Sequence, residues 1–503
     1  MKFTRHTDDT SEAPEQASLT AGRGVKPPPA PARGVKQRLF ADVDDLAERM
    51  DELAVEQWEH PELGLHEERA SRLLRETLDA AGFEIEAGVG DMPTAFVASY
   101  GSGDGPTIGI LGEYDALPGL SQAVSAEREP IEAAGPGHGC GHNLFGTAGV
   151  GAAIAVSRAL ERGDADGELR FYGCPAEETL VGKTFMARDG VFDDLDAAVT
   201  WHPSDHTAPQ RGSSLALDSL SFTFEGESAH AAASPESGRS ALDAVQLLNT
   251  GVEYMREHVP EEVRVHYNVQ EGGDAPNVVP AEASVWYFVR APTREGVERV
   301  TAWLREVADG AATMTRTTVS ERYYTGCHRL VSNGAIADTF RENMAELGAV
   351  EFDSEEHELA GELQETFPEG AIEDSLSEFE PPHDEAAADA ALYGEPMDAF
   401  DDGETGGGST DVGEVSQITP TAQFRATTWA LGTPGHSWQA VVANGDFGRS
   451  AVPYAAKLLA GTALDLLTDD QRLAAAREEF EGEVDGYENP LPEDADPPFE
   501  LTR

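Results

Sequence analysis

Short apolar runs that end in polar clusters constrain this chain more than any other feature. TAFVASY (94–100), TIGILG (107–112), LRFYG (169–173) and AAVTW (197–201) are each the length of one strand. Helix-like stretches such as LFGTAGVGAAIAVSRAL (144–160) separate them. Near-continuous apolar runs suit strands buried on both faces, and their alternation with helices indicates an α/β fold around a mostly parallel sheet. Upstream, Val43, Leu46, Ala47, Met50, Leu53 and Ala54 recur at helical spacing from Phe40, and a second helix is expected near 69–81.

The stretch 218–325 has a different rhythm. It reads strand (LSFTFEG), helix (SALDAVQLLNTGVEYMREHV), strand (VRVHYNV), strand (ASVWYFVRA), helix (REGVERVTAWLREVADGA), strand (TTVSERYY). That β-α-β-β-α-β order is the ferredoxin-like motif, an α+β unit inserted into the first domain. The expected organisation is therefore a polar, Pro-rich disordered lead over 1–36, a first domain over 37–217 and 326–490 split by the insert at 218–325, and a Pro-rich tail over 491–503. Within the second half, 353–408 is acidic with scattered Pro and Gly, and reads as a solvated loop insertion or a flexible lid.

Four polar clusters follow apolar strand candidates: GEYDALPG after TIGIL, PAEE after LRFYGC, His202 in WHP after AAVT, and His436 in LGTPGHSW after TTWA. Ligands of open α/β sheets bind beyond the carboxyl ends of the strands, so these clusters point to one site. The segment GPGHGCGHNL adds His138, Cys140 and His142 between small residues. Positions i and i+2 share a side in extended chain, which lets Cys140 and His142 face one metal ion; the alternative is a buried thiol beside a glycine turn. Glu177 and Glu178 are adjacent carboxylates at a strand end. Near a metal, one can ligate while the other takes a proton from bound water, but adjacent residues in a strand point apart, so this requires a turn at Ala176. Five candidate ligands, Cys140, His142, Glu178, His202 and His436, suffice for one or two divalent ions, and the thiolate favours zinc while leaving manganese open. A competing reading makes Cys140 a nucleophile with His142 as its base, which leaves Glu177, Glu178, His202 and His436 without roles.

Charge narrows the partners. The chain carries 93 acidic and 35 basic residues, and only Lys2, Lys26, Lys36, Lys183 and Lys457 are lysines. Such a surface repels nucleic acid and anionic lipid. Because the excess runs through the whole chain, it points to a salt-rich cytoplasm, where repulsion is screened within a few ångströms. No stretch approaches the roughly 18 apolar residues of a membrane span, the N-terminus lacks a secretory apolar core, and the three cysteines make no disulfide framework. A cytoplasmic location is expected.

Taken together these residues resemble the co-catalytic metallopeptidases of family M-20. The likeness is greatest to the amidohydrolase branch that includes the aminobenzoyl-glutamate utilization proteins and N-acyl-amino-acid hydrolases. It is carried by HPELG (60–64), GEYDALPG (112–119), HGCGHN (138–143), PAEE (175–178), WHP (201–203), GESAHAAASPESGRSALDA, APNVVPAEASVWYFVRA, GSTDVGEVS and GTPGHS, in the family's order. The resemblance implies metal ligation by Cys140, His142, Glu178, His202 and His436, with Glu177 as general base and Asp115 steadying the ligands from behind. It also implies that the inserted domain makes a homodimer, that its His230 reaches the partner's site, and that Asn277 and Arg290 bind a small amide or dipeptide-like substrate. Hydrolysis of an N-acyl-amino acid or aminobenzoyl-glutamate-like amide is the expected activity; a dipeptidase or carboxypeptidase, or a non-catalytic metabolite binder, are the alternatives. Relatives with two full metal sites often carry His-x-Asp where this chain has Glu113-Tyr114-Asp115.

Overall fold

The computed structural model describes residues 30–502 apart from 103, 104, 380–382 and 389. Among these, eleven strands form two sheets. The larger contains β1 (Glu84–Ala87), β2 (Phe96–Gly101), β3 (Thr107–Glu113), β4 (Glu168–Cys174), β5 (Ala197–Ser204), β6 (Ala208–Gln210) and β11 (Thr421–Thr427), in the order β1-β2-β4-β3-β5-β11-β6. Its four central strands, β4, β3, β5 and β11, are mutually parallel; β2 and β6 pair with them antiparallel, and β1 pairs antiparallel with β2. Every residue of β3 is buried, which explains its unbroken apolar run. The helix His142–Glu161 packs along it with Leu144, Phe145, Ala148, Ile154 and Val156 in the main core. By length and composition this helix could cross a membrane, yet it is 89% buried inside the protein and serves as a core helix.

The smaller sheet is fully antiparallel: β7 (Ala216–Glu225), β8 (Arg264–Glu271), β9 (Glu282–Ala291) and β10 (Thr318–Cys327), in the order β10-β7-β9-β8. Helices Ala241–Arg256 and Arg294–Thr315 cover one face and close a separate core around Leu220, Val245, Val285, Tyr287 and Leu304. This is the β-α-β-β-α-β unit of the sequence, running two residues further at each end.

The structure corrects several expectations. A helix starts at Ala30, inside the stretch read as disordered lead, and Leu39 and Val43 are fully buried; residues 1–29 lie outside the described ones. The helical spacing seen from Phe40 belongs to two helices, Ala30–Asp44 and Ala47–Glu59, broken at Asp45 and Leu46. The strand before His436 is TAQFRAT rather than TTWA. Its alternating Gln423 and Arg425 disguised it, because both line a cavity instead of the core.

The described residues of the acidic segment 353–408 are folded. It contains helices Ser354–Gln364, Ala371–Leu376 and His383–Ala387, the first with an Asp353/Glu356 capping box. Ala360, Leu363 and Leu392 pack with Trp429 and Ala440, and Phe379, Tyr393 and Met397 with Ala208 and Leu431. The Pro-rich tail also docks: Leu491 is buried, Arg188 donates to the Ala495 carbonyl, and His66 Nε2 lies 3.1 Å from the Phe499 carbonyl.

Candidate active site

The turn required between Cys174 and Glu177 exists. Ala176 adopts φ 54°, ψ 39°, a left-handed conformation that costs an alanine energy unless its surroundings impose it. Two neighbours do so. Glu67, fully buried, accepts a hydrogen bond from the Ala176 amide at 2.8 Å, and Gly64 leaves the room, since a Cβ there would lie 2.9 Å from Ala176 Cα. Gly64 of HPELG and Glu67 just beyond it thus buttress the turn that redirects Glu177 and Glu178.

Cys140 and His142 arrive through Gly141, at φ 86°, where a Cβ would come within 2.7 Å of Pro203 Cγ. The helix opens at His142, whose Nε2 lies 3.3 Å from Glu113 at the carboxyl end of β3. His142 Nδ1 lies 2.8 Å from Asp115 Oδ1, while Asp115 Oδ2 accepts from the Glu178 amide at 3.0 Å. One carboxylate therefore orients two candidate ligands, the arrangement metal sites need behind their donors. His202 Nδ1 donates to the Pro203 carbonyl at 2.7 Å, so its Nε2 lone pair is free and faces Cys140 Sγ at 3.3 Å. His436, itself at φ 55° and tied to Gly139 through its amide, brings Nε2 within 3.4 Å of Glu178 Oε2. Cys140, His202, His436, Glu177 and Glu178 line one cavity of about 400 Å³, with Arg290 and Arg425 on its walls.

These residues fit divalent ions. Cys140, His142 and His202 form one set with all donor atoms within 4.8 Å of one another, Cys140, Glu178 and His436 a second, and Glu113, His142 and Glu177 a third. Glu113 Oε2, His142 Nε2 and Glu178 Oε1 are buried with no hydrogen-bond partner among the described residues. Unsatisfied donors and acceptors at such depth are expensive unless a cation binds them.

The electrostatics agree. Burial pushes Glu178 up to about 8, with Asp115 and Glu113 adding to the rise against His142. Burial, then Glu113 and Asp411, push Glu177 well above the carboxylate range. His202 falls to about 3 through burial and the positive His142 and Arg425 nearby. His142 rises despite its burial, because Cys140 and Asp115 favour a cation there. Cys140 is pushed up by burial and by Glu178, the opposite of what an activated thiol nucleophile requires.

Stability should depend on pH accordingly. Glu178 and the fully buried Glu67, both raised from 4.5 to about 8, keep protons in the folded metal-free protein that the unfolded chain has lost. Their contribution is full below about 4.5 and is lost as pH rises through 8. His138 and His202, lowered to about 3, affect the slope only below the ordinary imidazole value of 6.5. Between pH 6.5 and 8.5 denaturant unfolding of the metal-free protein should lose of order a few kcal/mol. Stability that is constant or rises across that window would contradict the placement of these carboxylates.

His230 and Asn277 stand apart. Both are exposed on the small-sheet domain, side by side through a bridge of His230 to Val278, and neither lines the cavity within this chain. Arg290, at the end of β9, does line it and hydrogen-bonds Ser409 at 3.2 Å.

Sequence reading missed Glu113, Lys183, Asp411, Glu67 and Arg425. Lys183 carried a signal, as one of five lysines in a chain that has nearly lost that residue. It is fully buried between Glu113 and Asp411, at 2.6 Å from each.

Residues 216–313 match the peptidase dimerisation domain. The chain is 39% identical over 483 residues to a subunit of the p-aminobenzoyl-glutamate hydrolase of Escherichia coli, covering 92% of this chain and 99% of that protein. It is 30% identical over 464 residues to the Xaa-Arg dipeptidase of Mus musculus, covering 89% and 92%. Among solved structures, a dinuclear metal-binding peptidase of the M20 family from Bacillus subtilis superposes with a TM-score of 0.54 at 19% identity, over 84% of this chain and 99% of that one.

Proposed function

The chain belongs to the M20 peptidase family, a family of hydrolases, and we propose that it hydrolyses the amide bond of an N-acyl-amino acid or aminobenzoyl-glutamate-like substrate. The observation that carries this reading is the convergence of unpartnered buried donors with Cys140, His202 and His436 on one cavity. Cys140, His142, Glu178, His202 and His436 would hold one or two divalent ions, zinc or manganese by the chemistry of the donor set. When bound, such ions polarise the amide carbonyl and lower the pKa of a water.

The chain's own groups do the rest. Glu177, redirected by the Ala176 turn, takes the water's proton and returns it to the leaving amine. Burial, then Glu113 and Asp411, raise its proton affinity, as a group that takes up a proton requires. Arg290 presents a guanidinium fork to the substrate's carboxylate, with Asn277 as a second polar contact supplied through a dimer. His230 reaches the partner's site in that dimer and stabilises the developing oxyanion. The homodimer is supported by the small-sheet domain itself, whose helix Ala241–Arg256 and edge strand β8 expose Tyr254, Leu247, Tyr267 and Val269.

A salt-rich setting is supported by an acid excess of 93 to 35, and we propose that this setting is the cytoplasm. The likeness to a dipeptidase keeps hydrolysis of unblocked dipeptides as the second reading. One panel separates them: p-aminobenzoyl-glutamate, N-acyl-amino acids and free dipeptides, assayed with metal-loaded protein in dilute buffer and in molar KCl. Blocked amides should turn over fastest and only in high salt. A preference for free dipeptides would move the reading to the dipeptidase, and equal activity at both salt levels would refute the salt-rich setting.

A further inference from the structure

The buried triad of Lys183, Glu113 and Asp411 has no role in the chemistry so far. Lys183 is 0% exposed, and its Nζ donates to Glu113 Oε1 and Asp411 Oδ1, both at 2.6 Å. The Lys183 amide donates to the second Asp411 oxygen at 2.8 Å, so the lysine is held from both ends. Glu113 is left with one oxygen fixed by the ammonium and the other, Oε2, buried with no partner among the described residues. That free oxygen lies 3.3 Å from His142 Nε2, which also has none. Two donors on one ion with bonds of roughly 2.0–2.1 Å and tetrahedral angles stand about 3.3–3.4 Å apart.

The same side chain borders the cavity that holds Cys140 and His202. The compact ammonium bridges the two carboxylates as a point charge.

We infer that Glu113 is a further ligand of a divalent cation shared with His142, and that Lys183, anchored by Asp411, is the positioning residue that turns Glu113 Oε2 towards it. The inference rests on the metal-site reading above. It assigns to the glutamate of GEYD the place of a metal donor. It also makes Lys183 a link between the end of β3 and the GSTD loop, whose Ser409 and Thr410 line the same cavity.

The test counts ions rather than turnover. Metal-free dimeric protein is loaded with Zn²⁺ or Mn²⁺, desalted and analysed for metal per chain, and ion affinity is measured by calorimetric titration. Wild type should bind two ions. Glu113→Gln should lose one of them or bind it at least tenfold more weakly, with the other unchanged. Should Glu113→Gln fail to fold, Glu113→Asp keeps the charge for Lys183 but withdraws the oxygen by one methylene, and it should weaken the same ion. Lys183→Gln should weaken that ion too and alter the absorption spectrum of the Co²⁺-loaded protein, which a purely structural lysine would leave unmoved. A wild type that binds no ion overturns the metal-site reading itself. A wild type that binds two ions, with glutamate variants that bind both as tightly, overturns the role of Glu113 alone. An unchanged cobalt spectrum in Lys183→Gln overturns the positioning role.

Discussion

Glu177→Gln is expected to lower kcat by about 10²–10⁴-fold while metal content, dimerisation and substrate affinity stay close to wild type. The amide is isosteric with the acid, so packing around the Ala176 turn is retained, yet it cannot accept a proton. Glu177 is placed for this by the left-handed Ala176, which the Glu67 carboxylate on the Ala176 amide and the close approach of Gly64 hold in that conformation. Its Oε2 lies 3.9 Å from His142 Nε2, close to the candidate ligands but less tightly held than the Asp115 carboxylate. A ligand's loss would empty the site, whereas loss of the base should leave it filled and idle. Measuring metal content and kcat on the same preparation separates the two, and a variant that retains more than a tenth of wild-type kcat would remove Glu177 from the mechanism.

The second large effect concerns His230. It is exposed and lies outside the cavity of its own chain, so a catalytic role requires a second subunit. His230→Ala should reduce kcat strongly, by roughly 10²–10³-fold if it supplies an oxyanion contact. Mixed dimers of His230→Ala and Glu177→Ala chains should regain partial activity, because one of the two composite sites then holds both functional groups. Neither parent can do so. No recovery on mixing, with exchange of subunits verified, would mean that His230 does not act across the dimer.

The sequence exposed the elements whose physics is local. Strand β3 is legible because a strand buried on both faces cannot alternate, and Cys140 and His142 because they crowd between glycines. Strand β11 was displaced to TTWA, since Gln423 and Arg425 face a cavity and break the apolar signal. The turn at Ala176 left no trace, because the residue that adopts φ 54° is an alanine held there by Glu67, over a hundred positions away. Glu113 was hidden for a similar reason: it ends an apolar strand, and only Lys183 and Asp411, brought in by the fold, reveal a carboxylate with one oxygen to spare. The segment 353–408 looked like solvated loop because its few apolar residues, such as Leu363, Phe379 and Leu392, are spread among acids and bury against Trp429 and Leu431 rather than one another.

Amide hydrolysis here is held to depend on cations gathered by Cys140, His142, Glu178, His202 and His436. Release of p-aminobenzoate from p-aminobenzoyl-glutamate should therefore cease after exhaustive chelation in high salt, and return on adding Zn²⁺ or Mn²⁺ with one to two ions bound per chain. A chelated protein shown to be metal-free that hydrolyses the amide at the original rate would contradict it.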